Sequence, residues 1–191
     1  MLKLRLITGS LVLVMVLASV SFAADTEYVD VKAYIPQQNG LTVAVSKVQG
    51  TTWTDATSID FGNLVFDAQN NIFTADYYYA VDVGIHSNAA DWTVTHSTSS
   101  LVNAYGESLD NNVNVAFMKQ VSNTSGSELE KVSYADSNGK AYPKATLSGG
   151  WLRIYYGVAT GDGTDAPNTT PIASTTTFGN YQGRVTLTLT P

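Results

Sequence analysis

The 191 residues contain two histidines, His86 and His96, and no cysteine, so the side chains that most often carry metals or act as nucleophiles are scarce. Two imidazoles without a third ligand make an incomplete metal site, and both are read as strand residues. Asp162-Gly163-Thr164-Asp165 and Asp136-Ser137-Asn138 are oxygen-rich in the manner of hard-cation loops. Neither follows the twelve-residue pattern ending in glutamate, and turn formation by Asp, Asn and Gly accounts for both equally well. No metal is assigned, and calcium at Asp162 and Asp165 stays open. A glycosidase pair of carboxylates is defined in space and leaves no sequence signature. No nucleophile elbow, phosphate loop or His-Glu-x-x-His motif is present. The expectation is a non-enzymatic protein without a cofactor.

Aromatic residues are the remaining groups with recognition chemistry. Tyr77, Tyr78 and Tyr79 are consecutive, and Trp53, Trp151, Tyr155 and Tyr156 lie elsewhere. Strand alternation turns Tyr78 away from Tyr77 and Tyr79. Exposed tyrosine and tryptophan can stack on sugar rings, so Trp53, Tyr78 and Tyr155 are candidate glycan-stacking residues of a secreted carbohydrate-binding module. The competing reading is that these rings fill the core and edges of a sheet structure.

These groups must be positioned by strands. Tyr77, Tyr79, Val81, Val83 and Ile85 alternate with Tyr78, Ala80, Asp82, Gly84 and His86, and a turn leads to Trp92-Thr93-Val94-Thr95-His96. That pattern predicts a hairpin with Trp92 and Val94 in the core. Ile59 to Phe66 reads as a strand interrupted by Gly62, a site of a bulge or close backbone approach. Ser97 to Asn112 reads as a long connection ahead of Val113, Val115 and Phe117. Leu129–Ala135 and Lys140–Leu147 flank Asn138-Gly139, which predicts a second hairpin; a helix over Ser127–Tyr134 is the less favoured alternative. Trp151–Val158 is a further strand. Val185, Leu187 and Leu189 form the apolar face of a terminal edge strand. About nine or ten short strands with regular turn signals indicate an all-β sandwich.

At the N-terminus, Lys3 and Arg5 precede an apolar run from Leu11 to Ala18, and Ser21-Phe22-Ala23 has the small residues of a cleavage site. Residues 1–23 therefore read as a secretory signal peptide. Removing them leaves 168 residues with 8 basic against 16 acidic side chains, a poor match to nucleic acid or anionic membranes. No later apolar run approaches the ~20 residues of a membrane helix. The expected location is the periplasm in transit, then the cell surface or medium. Lacking disulfides, an exported chain draws its stability from core, sheet pairing or assembly.

Directly after the leader, Tyr28 to Ile35 alternates again. Val29, Val31, Ala33 and Ile35 share one face, and Pro36-Gln37-Gln38-Asn39-Gly40 follows as a hinge. Residues 24–36 thus form a strand that either pairs with its own domain, residues 37–191, or completes the sheet of a neighbouring copy.

Two blocks carry a resemblance. The first is Ser58-Ile59-Asp60-Phe61-Gly62-Asn63-Leu64 with Tyr79-Ala80-Val81-Asp82-Val83 and Trp92-Thr93-Val94; the second is Leu152-Arg153-Ile154-Tyr155-Tyr156-Gly157-Val158 with Phe178-Gly179-Asn180-Tyr181 running into the terminal strand. They resemble the spore coat protein U family, relatives of archaic chaperone/usher pilins. The resemblance implies an incomplete immunoglobulin-like sandwich, held by a periplasmic chaperone, passed through an outer-membrane usher, and completed by the N-terminal strand of an identical or related subunit. Val29, Val31, Ala33 and Ile35 would be the donor face. Many members carry cysteines near the first strand, and this chain has none. A looser likeness to WxL-type cell-wall domains rests on Trp92-Thr93-Val94, which lacks the leucine of that motif.

Overall fold

The computed structural model describes residues 31–122 and 125–191, without the side chains of 121–125. The expected leader and Val29 lie outside the described residues. The chain divides into two units, Met1–Ile35 and Pro36–Pro191. In the first, residues 31–35 form no strand, and Val31, Tyr34 and Ile35 are 90%, 88% and 79% exposed. Over its described part the expected strand therefore has no ladder within the single chain. An extended segment becomes a strand only when a neighbour takes up its backbone hydrogen bonds, and among the described residues none pairs with it.

The second unit is all-β. Its strands are β1 (Asn39–Gln49), β2 (Thr52–Ala56), β3 (Val65–Asp67), β4 (Ile72–Thr74), β5 (Tyr78–Ser87), β6 (Thr93–Thr98), β7 (Val113–Ser122), β8 (Ser125–Ser133), β9 (Lys140–Pro143), β10 (Trp151–Val158), β11 (Ile172–Ala173) and β12 (Val185–Thr190). One antiparallel sheet has the order β2-β1-β5-β10-β7-β8, a second β12-β6-β9, and a small third β11-β4-β3. The first two form a β-sandwich over one core. Tyr79, Val81 and Val83 of β5, Leu152, Ile154 and Tyr156 of β10, and Val115 and Phe117 of β7 meet Val94 of β6 and Tyr142 of β9. Each set sits at alternate positions, as the pleat requires. Leu109, Val158 and Ile172 form a satellite cluster beneath the small sheet.

Trp92 and Val94 are buried, at 5% and 0% exposure, yet the hairpin expected around them does not form. Both edges of β5 are occupied, by β1 and β10, so the chain crosses to the other sheet and β6 pairs with β9 and β12. The second expected hairpin is likewise a crossover. β8 is a strand rather than a helix and pairs with β7, whereas β9 pairs with β6. Gly139 still takes a left-handed φ of 79°, so the turn chemistry was correct and the partner was not. Of the strand expected over 59–66, only Val65 and Phe66 fall in a strand. Gly62, at φ 53°, turns the chain after Asp60, whose carboxylate accepts the Gly62 N–H at 2.8 Å. The Tyr79 hydroxyl donates to the Asp60 carbonyl at 2.6 Å, fixing this loop on the sheet.

Candidate functional site

Two regions of the sandwich are incompletely covered. The first is an edge. β2 pairs with β1 only over Val45–Gln49, so among the described residues Asn39–Ala44 has a strand neighbour on the β5 side alone. In the facing sheet β12 pairs, among the described residues, only with β6. Thr190 lies opposite Thr93, and Asn39 opposite Ser87; the short 88–92 connection therefore brings the end of β12 toward the start of β1. Val43 lies directly opposite Val83, so both side chains share the core-facing side of the sheet. Val83 is fully buried, whereas Val43 is 52% exposed. Val185, Leu187 and Leu189 also face the core, and all three are only half-buried. The apolar lining thus continues to the edge, where nothing among the described residues completes its cover.

The chain enters β1 through a clamp on Asn88. Gln38 N–H donates to Asn88 Oδ1 at 2.7 Å, Asn88 N–H donates to the Gln38 carbonyl at 3.2 Å, and Asn88 Nδ2 donates to the Pro36 carbonyl at 2.9 Å. Ser87 Oγ adds a bond to Asn39 Oδ1 at 2.7 Å. Residues 36–38 therefore prolong the β1–β5 ladder.

The second region is the outer face of the six-stranded sheet, where Trp53 of β2, Tyr78 of β5, and Arg153 and Tyr155 of β10 lie. Trp53 and Tyr78 are 44% and 38% exposed, and Tyr155 is half-buried. Tyr78 and Tyr155 meet edge-to-face with ring centroids 5.6 Å apart, a favoured geometry for aromatic pairs. Burial, then the neighbouring Tyr155, pushes the Tyr78 phenol pKa up. The Arg153 guanidinium sits 4.7 Å from the centre of Trp53 and 5.9 Å from that of Tyr155. It is fixed by Asp82 through two bonds of 2.6 and 2.7 Å, with the two side chains only 8% and 15% exposed. The hydrogen bonds to Asp82 raise the Arg153 pKa, so the guanidinium remains charged. Beside the tyrosines a groove of about 600 Å³ runs over Ala116 and Gly157 to Glu128, Lys131 and the 160–165 loop.

The histidines are not brought together. His86 is exposed beside Thr42, while His96 is fully buried. His96 Nδ1 lies 2.9 Å from the Ser137 carbonyl and must donate; Nε2 therefore accepts from the Tyr156 hydroxyl at 2.7 Å. Burial, countered only in part by the Ser137 bond, pushes the His96 pKa below its usual value. Asp165 accepts N–H bonds from Thr160 and Gly161 and from the Asn114 side chain, and Asp162 accepts from Thr164. Both carboxylates therefore organise the loop. Among the described residues no three His, Cys, Asp or Glu side chains gather closely enough to hold a metal ion. Sequence reasoning missed Asn88 and the Ala116–Gly157 floor, because an isolated asparagine or small residue carries no local signal of a partner fifty or forty positions away.

Together these features define a class: an all-β sandwich with an apolar edge that is unpaired among the described residues and a separate aromatic outer face. The chain matches no family model, no curated protein and no solved structure.

Proposed function

We propose that this chain is a non-enzymatic structural subunit of an extracellular fibre, pilus or surface layer. In this reading the sandwich is immunoglobulin-like and incomplete, and its open edge between β1 and β12 accepts the N-terminal strand, with Val29, Val31, Ala33 and Ile35 facing inward, of an identical or related copy. The observation that carries it is Val43, which faces the core and is nonetheless half exposed beside an edge that has no strand neighbour among the described residues. The donor has the complementary pattern, since Val31 and Ile35 are apolar and exposed.

The Asn88 clamp favours a second copy over self-pairing. A chain that folds back onto its own β1 edge has to spend residues just before Pro36 on the reversal, which removes Ile35 from the inserted face. Insertion into another copy leaves the alternating segment straight. A ladder of backbone bonds with alternate side chains in pockets is how an added strand gains affinity and specificity. The partners are identical or related subunits, with a periplasmic chaperone and an outer-membrane usher during export. The test compares the chain starting at Ala24 with its Val31→Asp and Ile35→Asp forms by size-exclusion chromatography and negative-stain microscopy. Polymers from the unaltered chain and monomers from both variants are expected; polymers in both variants refute the reading.

A further inference from the structure

The groove on the outer face of the six-stranded sheet is distinct from the β1/β12 edge, and the assembly reading makes no use of it. Cross-strand register places Tyr155 of β10 opposite Ala116 of β7, and Ala116 opposite Lys131 of β8. With strands ~4.8 Å apart, an aromatic ring and an alkylammonium chain flank a methyl floor roughly 10 Å across. One position further, Gly157 lies opposite Asn114, and a Cβ built on Gly157 would come to 3.5 Å from Tyr78 Cβ. The small residues thus hold the floor low while Tyr78 and Tyr155 form one wall. The opposite wall is polar. Lys131 Nζ donates to the Thr164 carbonyl, tying β8 to the loop, and the exposed Glu128 carboxylate has no hydrogen-bond partner among the described residues.

We propose that this groove binds an uncharged glycan, one pyranose ring lying against Tyr155 and Tyr78 and its hydroxyls bonding to Glu128, Asp162 and the 160–165 loop. Four observations converge on that ligand class. The volume of about 600 Å³ lies within the range of small-molecule sites, which combine apolar walls with a few fixed polar groups. The wall rings are tyrosines, which offer an apolar face together with a hydroxyl. The charged lining is Asp76, Glu128, Asp162 and Asp165 against Lys131 alone, an excess of negative charge that disfavours polyuronates and other anionic chains. An acceptor carboxylate that no donor among the described residues engages suits a ligand made of hydroxyl donors. Trp53, on the far side of Arg153, extends the aromatic surface along the sheet and gives a longer chain a second stacking position.

The test is retention of the full chain from Ala24 on insoluble cellulose, xylan and chitin, with polygalacturonate as the anionic arm, beside the Tyr155→Ala, Tyr78→Ala and Glu128→Gln variants. Retention on at least one neutral polysaccharide and none on polygalacturonate is expected, with affinity falling roughly three- to tenfold for each lost ring. No retention on any neutral polysaccharide, or equal retention of the Tyr78/Tyr155 double variant, overturns the proposal. The outcome is separable from assembly, because the Val31→Asp form should bind glycan undiminished and the Tyr155→Ala form should still polymerise.

Discussion

Mixing two assembly-defective variants isolates a single junction. Val31 is 90% exposed and Val43 52%; at roughly 1.5–3 kcal/mol for a fully buried valine, covering them contributes about 1.4–2.7 and 0.8–1.6 kcal/mol. Aspartate at either position loses that term and places a carboxyl in an apolar groove. Protonating an aspartate of ordinary pKa near 3.9 at pH 7 costs a further ~4 kcal/mol. Each substitution therefore weakens the junction by about 5–7 kcal/mol, or roughly 10⁴–10⁵-fold. In the free chain Val31 meets water, so Val31→Asp should change circular dichroism and thermal midpoint little; Val43→Asp also loses its buried half and should lower the midpoint modestly while the chain stays folded. Val31→Asp keeps its acceptor edge and loses its donor, and Val43→Asp does the opposite. Sedimentation velocity should show monomers for each alone and a one-to-one dimer for the mixture, with no growth beyond it. Polymers from either variant alone, or a mixture of folded chains that stays monomeric, would refute the reasoning.

Two further predictions concern the body of the sandwich. Asp82→Asn removes the carboxylate that grips the buried Arg153 guanidinium at 2.6 and 2.7 Å and should cost about 3–5 kcal/mol in chemical denaturation; a loss under ~1 kcal/mol would show that other neighbours suffice. His96 has a folded pKa below its unfolded value near 6.5, because burial disfavours the imidazolium. The unfolded chain therefore takes up a proton first, and stability should fall by up to ~1.4 kcal/mol per unit as pH drops from about 6.5 toward the folded pKa. His96→Gln should remove that increment, and parallel stability curves for the two proteins between pH 8 and 5 would contradict the assignment.

How much of this was legible follows from the range of each signal. The alternation in Tyr79–Ile85, Leu152–Val158 and Val113–Phe117 marked the buried faces correctly, because one covered face leaves a period of two in the sequence. It could not say which strands are neighbours. β5 touches β10 across some seventy residues, and the turn before β6 has the same local composition whether the chain doubles back or crosses over. Asn138-Gly139 misled for that reason, its turn being real and its hairpin not. The Ile59–Phe66 run looked like one strand interrupted at Gly62 because it is rich in Ile, Val and Phe; Phe61 in fact packs on the rings of Tyr77 and Tyr79, a tertiary contact that overrides local β propensity. Of the candidate site residues, Trp53, Tyr78 and Tyr155 do share one face, which alternation alone could not establish across three strands. The exposure of Val43 had no sequence counterpart, since an inward apolar residue reads alike whether or not a neighbour covers it.

The Asn88 clamp also determines how the sandwich would carry a pull on its N-terminal end. Tension arriving through residues 36–38 enters β1 along its own axis at Asn39, and β1 is bonded to β5 continuously from Asn39↔Ser87 to Val48↔Tyr78. A strand loaded lengthwise against such a ladder is sheared, so its hydrogen bonds share the load and must fail together, whereas a strand pulled sideways opens one rung at a time. Forced unfolding is governed by the rate of crossing that barrier. With no cysteine to lock the chain covalently, mechanical resistance rests on how residues 36–38 are aligned with β1, and the bonds of one asparagine hold that alignment.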